Sequence, residues 1–316
     1  MPIVKTIGRQ GVLMMGQVTI ESREFALSNL DKVLWPDDGY TKGELIHYYV
    51  QVADYLLPHL RGRPLVLTRF PDGIHRKSFY QKNAPDYLPP WIRTFSWYSE
   101  DSQRDIRFIV AEEAATLAWL ANQACIEMHP WLSSIESIDN PDFAVIDLDP
   151  SPGSRYQDVV DIALVVKELL DNLGLRSYPK TSGSAGLHIY IPVEAVYTYE
   201  QVRKFAHVLA SMVTEVLPHI ATIERAVKKR GHKVYVDYLQ NVLGKTLSSV
   251  YSVRPRPGAP VSTPLLWDEV SQITPAQFTI KTILSRLRDY GDLFAPVLQD
   301  RQNLEPACHK LGLPIF

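Results

Sequence analysis

The most informative hydrophobic pattern lies between residues 143 and 240, where apolar strand-like stretches alternate with helical ones. Phe143–Leu148 is a short continuous apolar run, which is typical of a buried strand. Leu187–Pro192 and His232–Leu239 alternate with period two, as half-buried strands do. Leu175–Tyr178 is predicted as a further short strand. The pattern therefore predicts four strands in this part of the chain.

Two amphipathic helices separate these strands. Ser154–Gln157 predicts a cap for a helix that runs to about Asn172 and is ended by Gly174. Thr198–Gln201 predicts the cap of a second helix, which reaches to near Leu217. The resulting order, β-α-β-β-α-β, is that of the ferredoxin-like or RRM-like split βαβ arrangement. In that arrangement the first strand is central and lies between the third and the fourth.

The flanking sequence predicts a second, mixed α/β layer. A capping box at Thr41–Glu44 predicts a helix to Leu57 that Pro58 ends. The other predicted elements are a strand at Pro64–Arg69, a helix over Glu112–Met128 and a helix near Pro275–Asp289. The predicted fold class is thus α+β. We expect a flexible N-terminal extension (1–16), a single catalytic domain (17–300, with its catalytic sheet at about 143–240) and a tail (301–316).

Composition excludes several classes of protein. The formal net charge of the 316 residues is −2, so nucleic-acid binding would need a local basic patch. The only two cysteines, Cys125 and Cys308, form no CxxC pair, which argues against a zinc site or a disulfide framework. No apolar run is long enough for a signal or membrane helix. We therefore expect a protein of the reducing cytoplasm, associated with the nucleoid and without a membrane partner.

Three acidic residues carry the predicted chemistry. Asp147 and Asp149 are two positions apart on a strand, so their side chains point to the same face. Asp237 is the one acidic residue of the strand predicted to lie beside them. Carboxylates this close repel each other unless a cation neutralises them, and ligand sets made only of oxygen favour Mg²⁺ or Mn²⁺ over zinc. Three carboxylates suit two divalent cations that activate a hydroxyl and stabilise pyrophosphate.

The acidic pair alone has other interpretations. Asp147 and Asp149 could equally be strand-end acids that cap the turn beginning at Pro150. They could also belong to a D-x-D phosphatase of the haloacid dehalogenase type, although Ser151 stands where that class has threonine, and the element order disfavours it. A third alternative is a non-catalytic module that binds DNA ends. The acid at position 237 argues for a metal site, because acids seldom lie in apolar strands unless they are paired or metal-bound.

Glycine-rich and basic segments offer contacts for phosphate. The loop Ser182–His188 can present backbone N–H groups to an anion, with Lys180 nearby, but it could also be a plain hairpin loop. The basic stretch Lys228–Lys233 could contact strand phosphates or be a solvated charge run. The remaining candidates for triphosphate and strand contacts are Gln240, Lys245, Arg254 and Arg256, and, in the N-terminal half, Lys32, Lys42, Arg69 and Lys82 with the aromatic pair Phe79 and Tyr80. By composition alone, one ring of this pair is expected in the core.

In combination and in order, these motifs resemble a known family. From about residue 20 to about residue 295 the chain resembles the polymerase domain of bacterial ligase D, the primase-polymerase module of non-homologous end joining in the archaeo-eukaryotic primase superfamily. The matching stretches are 31–36, 69–73, 79–82, 127–129, 147–150, 181–188 and 236–241.

The resemblance implies a role for each candidate. It implies metal ligands at Asp147, Asp149 and Asp237. It implies nucleotide contacts at His129, Ser182, His188, Lys245, Arg254 and Arg256, and base or template stacking on Phe79 and Tyr80. It implies a 5′-phosphate pocket at Lys32 and Lys42 and a strand-positioning residue at Arg230. Arg69 and Lys82 are expected to contact DNA, and Gln240 the nucleotide.

The resemblance also implies an activity and partners. Relatives add nucleotides, preferably NTPs, to 3′-OH ends at DNA gaps and breaks with Mn²⁺ or Mg²⁺. The expected partners are 5′-phosphorylated DNA and NTP or dNTP, with Ku and a DNA ligase as separate chains. We expect a stand-alone enzyme, and the alternative is a domain of a longer protein. Two departures stand out. Ala185 replaces a lysine that many relatives carry, and Thr68 replaces a basic residue found in some, which we expect to weaken the grip on the 5′-phosphate.

Overall fold

The computed structural model describes residues 5–7, 11–14, 16–100 and 102–314. The strands, in chain order, are β1 Lys5–Ile7, β2 Gly11–Met14, β3 Gln17–Ile20, β4 Arg23–Ala26, β5 Val33–Trp35, β6 Tyr40–Thr41, β7 Leu65–Arg69, β8 Phe79–Gln81, β9 Thr94–Ser99, β10 Arg104–Ile109, β11 Cys125–Pro130, β12 Phe143–Pro150, β13 Tyr178–Thr181, β14 Leu187–Pro192, β15 Ala221–Thr222 and β16 Val234–Asp237. The helices are α1 Lys42–Gln51, α2 Ala53–Leu60, α3 Ala114–Asn122, α4 Tyr156–Leu173, α5 Tyr199–Val216, α6 Ile283–Tyr290, α7 Pro296–Gln299 and α8 Glu305–Lys310.

Two compact units make up the chain, and both contribute to the span 17–300 that the sequence predicts as one catalytic domain. The first unit contains the described residues up to Pro130, together with Ser248–Val261 and Phe278–Gly291. The second contains Trp131–Leu247, Ser262–Gln277 and the C-terminal residues from Asp292.

The main sheet of the second unit has the predicted topology. Its strand order is β13-β14-β12-β16-β15, so the first strand of the β-α-β-β-α-β set lies between the third and the fourth. All neighbours pair antiparallel except the short edge strand β15, which runs parallel to β16. The interior of β12 is apolar and buried from Phe143 to Ile146, and α4 and α5 both pack against this strand. The prediction of a ferredoxin-like strand order for this sheet is confirmed.

The second strand of that sheet begins later than predicted. It covers Tyr178–Thr181, whereas the sequence predicts Leu175–Tyr178. Leu175 instead closes helix α4, because its N–H donates to the carbonyl of Leu170 while Gly174 adopts the left-handed conformation, with φ of 79°. The apolar residue at 175 therefore belongs to the helix end and not to the strand.

In the first unit a sheet of order β11-β7-β10-β9, with β8 also paired to β7, forms the predicted mixed layer with helices α1 to α3. The helix predicted over Glu112–Met128 is too long. It ends at Asn122, Ala124 adopts a φ of +55°, and the chain turns into strand β11. Pro58 does not end a helix, since it lies inside α2 after a break in the helical run at Val52.

Both chain ends carry structure that the sequence does not predict. Two strands of a four-stranded sheet, β1 and β2, fall within the expected extension over 1–16. In the expected tail over 301–316, Gln302 is buried and its amide nitrogen donates to the carbonyl of Pro192, at 3.0 Å. Helix α8 follows it. Among the described helices, none combines the length and apolarity needed to span a membrane.

One glycine of the catalytic sheet predicts a sharp stability effect. A Cβ at Gly186 would lie 1.9 Å from the carbonyl oxygen of Leu148 on the neighbouring strand. We expect Gly186→Ala to lower the free energy of unfolding by about 2–3 kcal/mol, because the strand backbones must separate. Denaturant unfolding measures this change. The control is Ala185→Ser at the exposed neighbouring position, which should change stability by no more than about 0.5 kcal/mol; equal stability of the two variants would contradict the close approach.

Candidate active site

Three carboxylates share one face of the central sheet in the second unit. Asp147 on β12 lies directly opposite Asp237 on β16, and Asp149 lies opposite Tyr235. Residues directly opposite each other in an antiparallel pair point to the same face, and so do residues two positions apart on one strand. The face therefore presents Asp147, Asp149 and Asp237 together, as the period-two pattern predicts.

Asp237 is held in an environment that disfavours its charge. Burial raises the pKa of this carboxyl group, and the negative charge of Asp149 raises it further. Hydrogen bonds offset part of this effect, among them those from the backbone N–H of Leu239 at 2.7 Å and the side-chain amide of Gln240 at 2.9 Å. Gln240 was predicted as a nucleotide contact, but here it orients a carboxylate.

Asp149 is paired with an arginine from the same unit. The side-chain oxygen Oδ2 of Asp149 lies 3.2 Å from Nη1 of Arg230. The guanidinium is buried, lies 3.9 Å from the ring centroid of Tyr235, and donates to the carbonyls of Glu224 and Arg225. In this structure Arg230 contacts the acidic site itself, and the strand-positioning role that the resemblance implies for it stays a prediction.

The acidic face has the donor chemistry of a divalent-cation site. Among the residues that the structure describes, no group of three or more His, Cys, Asp or Glu side chains is arranged so that it could hold a metal ion, and Asp149 is turned to Arg230 instead. The donor set is nevertheless suitable, because it consists of carboxylate oxygens crowded on one face. Burial, and after it the charge of Asp149, raises the pKa of Asp237, so a bound cation would favour the charged form of this carboxyl group.

The loop between β13 and β14 is closed by its own serine. The hydroxyl oxygen of Ser182 accepts hydrogen bonds from the backbone N–H groups of Ser184 and Gly186, at 3.1 and 3.0 Å. His188 follows on β14, and its Nε2 lies 3.5 Å from Oδ1 of Asp147. Lys180 was expected to support phosphate binding, but its side chain is completely buried. Lys245 is exposed in a turn after β16.

In the first unit, a buried glutamate links two predicted nucleotide contacts. The Oε1 atom of Glu127 lies 2.7 Å from Nε of Arg254, and its Oε2 lies 3.6 Å from Nε2 of His129. The hydroxyl of Thr68 is 3.1 Å from the same nitrogen of His129. Thr68 is therefore a buried neighbour of His129, and the expected weaker grip on a 5′-phosphate stays a prediction. No role was predicted for Glu127, although Glu127 and His129 are two positions apart on β11 and so share a face.

The aromatic pair is on the surface, contrary to the expectation that one ring lies in the core. Tyr80 is 73% exposed and Phe79 is 43% exposed. A groove of about 340 Å³ is lined by both rings together with Lys82 and Arg104. Arg69 does not extend into solvent, because it donates to the carbonyl of Gln123 and to the side chain of Gln81, and its guanidinium lies 5.2 Å from the ring centroid of Phe79.

The remaining basic candidates of the first unit differ in exposure. Lys32 is partly exposed and forms a 2.7 Å ion pair with Asp72. Lys42 is buried, and its ammonium group donates to the carbonyl of Asn122 at 3.1 Å. Burial and the nearby charge of Lys32 lower the pKa of Lys42. Arg256 is exposed and its carbonyl accepts from the indole of Trp35.

Comparison with known proteins identifies the family. The model of the LigD primase-polymerase domain matches residues 41–294. Among curated proteins, the bifunctional non-homologous end joining protein LigD of Bacillus subtilis is 39% identical over 288 residues, covering 90% of this chain and 46% of the relative. The multifunctional LigD of Mycolicibacterium smegmatis is 34% identical and covers 87% of this chain and 36% of its own length.

A solved structure agrees with these sequence matches. The polymerase domain of Mycobacterium tuberculosis ligase D in complex with DNA superposes with a TM-score of 0.81 at 30% identity, covering 88% of this chain and 99% of that one. The chain therefore belongs to the LigD primase-polymerase domain family, whose members are DNA-directed nucleotidyltransferases of non-homologous end joining. It spans less than half the length of the curated relatives described above.

The contacts of Glu127 with His129 and Arg254 predict a contribution to stability that depends on pH. Burial alone would raise the pKa of Glu127, but the hydrogen bond from His129 and the charge of Arg254 outweigh it and lower the pKa from 4.5 to about 2. A carboxyl group with a lowered folded-state pKa stabilises the protein above its unfolded-state pKa, and this stabilisation is lost as the pH falls.

We therefore expect the stability of the parent protein relative to Glu127→Gln to fall by about 3 kcal/mol between about pH 4.5 and pH 2. Denaturant unfolding of both proteins across this range measures the difference. Glu215→Gln, at an exposed position, is the control and should show no such window. A difference between the parent and Glu127→Gln that does not change with pH would refute the ionic contact.

Proposed function

We propose that this chain catalyses the template-dependent addition of nucleotides, preferably NTPs, to 3′-OH ends at DNA gaps and double-strand breaks. The observation that carries this proposal is the cross-strand pairing of Asp147 with Asp237, with Asp149 on the same face. Membership of the LigD primase-polymerase family supports it.

The three carboxylates would hold two divalent cations, Mn²⁺ or Mg²⁺. When bound, such ions lower the pKa of an attacking hydroxyl and offset the charge of the leaving pyrophosphate. The chain's own contribution is to fix the ligands before substrate arrives. Gln240 and the N–H of Leu239 hold both oxygens of Asp237, and the strand register holds Asp147 opposite it.

Each unit, taken by itself, has candidates for phosphate contacts. In the second unit we assign phosphate recognition to His188, Lys245 and the loop that Ser182 closes. In the first unit we assign it to Arg254, Arg256 and His129, because Glu127 anchors two of these three side chains and fixes their direction. Fixed cations bind a triphosphate with less loss of side-chain entropy than mobile ones do.

The groove of the first unit would bind a DNA strand. Exposed rings such as Tyr80 and Phe79 offer stacking platforms for bases, and Lys82 beside them offers a phosphate contact. Lys32 and Lys42 would bind a 5′-phosphate. The solved structure of the Mycobacterium tuberculosis ligase D polymerase domain is a complex with DNA, which supports DNA as a partner of this chain. Ku and a DNA ligase activity are further proposed partners in end joining.

Removal of one acidic side chain tests the proposed activity. We expect Asp149→Ala to abolish extension of a labelled, 5′-phosphorylated gapped duplex while DNA binding, measured by fluorescence anisotropy, stays near the parental level. The loss should be at least about a hundredfold to a thousandfold, the range typical when one group that stabilises transition-state charge is removed. Asp289→Asn, at an exposed position of the first unit, is the matched control and should extend like the parent.

Extension, DNA-end binding and phosphoester hydrolysis, measured together, separate the rival functions. Normal extension by Asp149→Ala would refute the metal assignment. Tight binding of 5′-phosphorylated ends by the parent protein, with no cation-dependent extension, would instead identify a non-catalytic end-binding module. Hydrolysis of small phosphoesters without any extension would identify a phosphatase.

Cation binding can also be measured without turnover. Saturating Mn²⁺ should raise the Tm of the parent protein, by a stabilisation of about 2.7 kcal/mol at roughly one hundred times Kd. Most of this shift should disappear in Asp147→Asn and Asp237→Asn and persist in Asp289→Asn. Without cation, Asp237→Asn should be at least as stable as the parent, because burial disfavours the charge at this position. Equal Mn²⁺ shifts in all four proteins would contradict the proposed site.

A further inference from the structure

A row of four ionisable side chains crosses the sheet of the second unit. Lys180 on β13 is directly opposite His188 on β14, His188 is opposite Asp147 on β12, and Asp147 is opposite Asp237 on β16. Because directly opposed residues share a face, all four side chains lie on the same side of the sheet. Only Lys180 among them has no part in the function proposed above.

Lys180 is an unusual residue to find in such a place, because its side chain has no solvent exposure. Its Nζ lies 2.9 Å from Nδ1 of His188 and 2.6 Å from the hydroxyl oxygen of Ser262. A lysine is almost never buried completely unless its N–H groups are satisfied. The position therefore demands a specific arrangement of hydrogen bonds and cannot serve as a direct contact to phosphate.

The direction of these hydrogen bonds can be worked out from the serine. The hydroxyl of Ser262 donates its single proton to the carbonyl of Thr181, at 2.7 Å. Its oxygen must then accept the bond from Lys180. An ammonium group has three N–H donors and no lone pair, so it can only donate hydrogen bonds. As an ammonium group, Lys180 therefore donates to Ser262 and to Nδ1 of His188.

We infer that Lys180 is a positioning residue that keeps His188 as the tautomer with its proton on Nε2, so that this N–H points to the acidic face. A neutral imidazole carries one proton, and the nitrogen that accepts a hydrogen bond cannot carry it. Since Nδ1 faces Lys180, the proton lies on Nε2, which is 3.5 Å from Oδ1 of Asp147.

The consequence for nucleotide binding follows directly, and it rests on the proposed function. An Nε2–H group is a donor for an oxygen of the triphosphate of an incoming nucleotide. The opposite tautomer would present a lone pair to that oxygen and to Asp147, which is repulsive. Lys180 therefore governs triphosphate affinity without touching the nucleotide.

Nitrogen NMR tests the tautomer directly. With ¹⁵N-histidine-labelled full-length protein, the signals of His188 are assigned by their absence in His188→Gln. We expect Nδ1 to have the chemical shift of an unprotonated, pyridine-like nitrogen and Nε2 that of a protonated one. In Lys180→Met, which keeps a long unbranched side chain without a donor, the Nε2–H form should lose its dominance. A parental spectrum with the proton on Nδ1 overturns the inference, even if Lys180→Met fails to fold.

Steady-state kinetics on the gapped duplex test the consequence. Lys180→Met should raise the KM for NTP by about tenfold or more, as expected for the loss of a hydrogen bond to a charged group, with a smaller effect on kcat. His188→Gln, whose amide can replace the Nε2 donor, should retain more activity than His188→Asn. In the His188→Asn background, Lys180→Met should cause no further loss, because both changes remove the same contact.

The control is the same substitution elsewhere in the second unit, Lys167→Met on α4, which should leave the KM for NTP at the parental value. A parental KM in Lys180→Met, or additive losses in the double variant, would show that Lys180 serves packing alone. If the parent protein does not extend DNA at all, the proposed function fails, and the NMR result still decides the tautomer.

Discussion

The register between β12 and β16 is the constraint on which the rest of the site depends. It sets Asp147 opposite Asp237 and, by the pleat, brings Asp149 to the same face. A slip by one residue would turn one strand's acids to the opposite face and separate the ligands. Buried apolar residues along β12 and β16 fix that register, because the same slip would also turn core side chains to the wrong side. Packing energy is thus what holds mutually repelling carboxylates together.

The surroundings of the acids show how the protein tolerates this repulsion before any cation binds. Each carboxylate has a partner of its own: His188 lies beside Asp147, Arg230 beside Asp149, and Gln240 donates to Asp237. In the first unit the candidate phosphate contact is a cation, Arg254, and its partner is the buried carboxylate of Glu127. In both places a polar group that would be costly alone is stabilised by a partner that also fixes its direction.

Much of this could be predicted from the sequence because the signals are local. Period-two apolar patterns and helix caps predicted the order of the sheet, and the spacing of Asp147 and Asp149 predicted a shared face. The start of β13 could not be predicted, because Leu175 satisfies a helix-end hydrogen bond that depends on Gly174. The role of Lys180 could not be predicted either. Its burial depends in part on the hydrogen bond that it donates to Ser262. That residue is some eighty positions away in the sequence, and only folding brings the two together.

The central claim is that one face of one sheet gathers three carboxylates for two cations. X-ray diffraction from crystals grown with Mn²⁺, NTP and a gapped duplex, recorded at the manganese absorption edge, tests it most directly. The account predicts anomalous peaks bonded to the carboxylate oxygens of Asp147, Asp149 and Asp237. Manganese bound elsewhere, with these three side chains left without a metal in a crystal that contains the nucleotide, would contradict it.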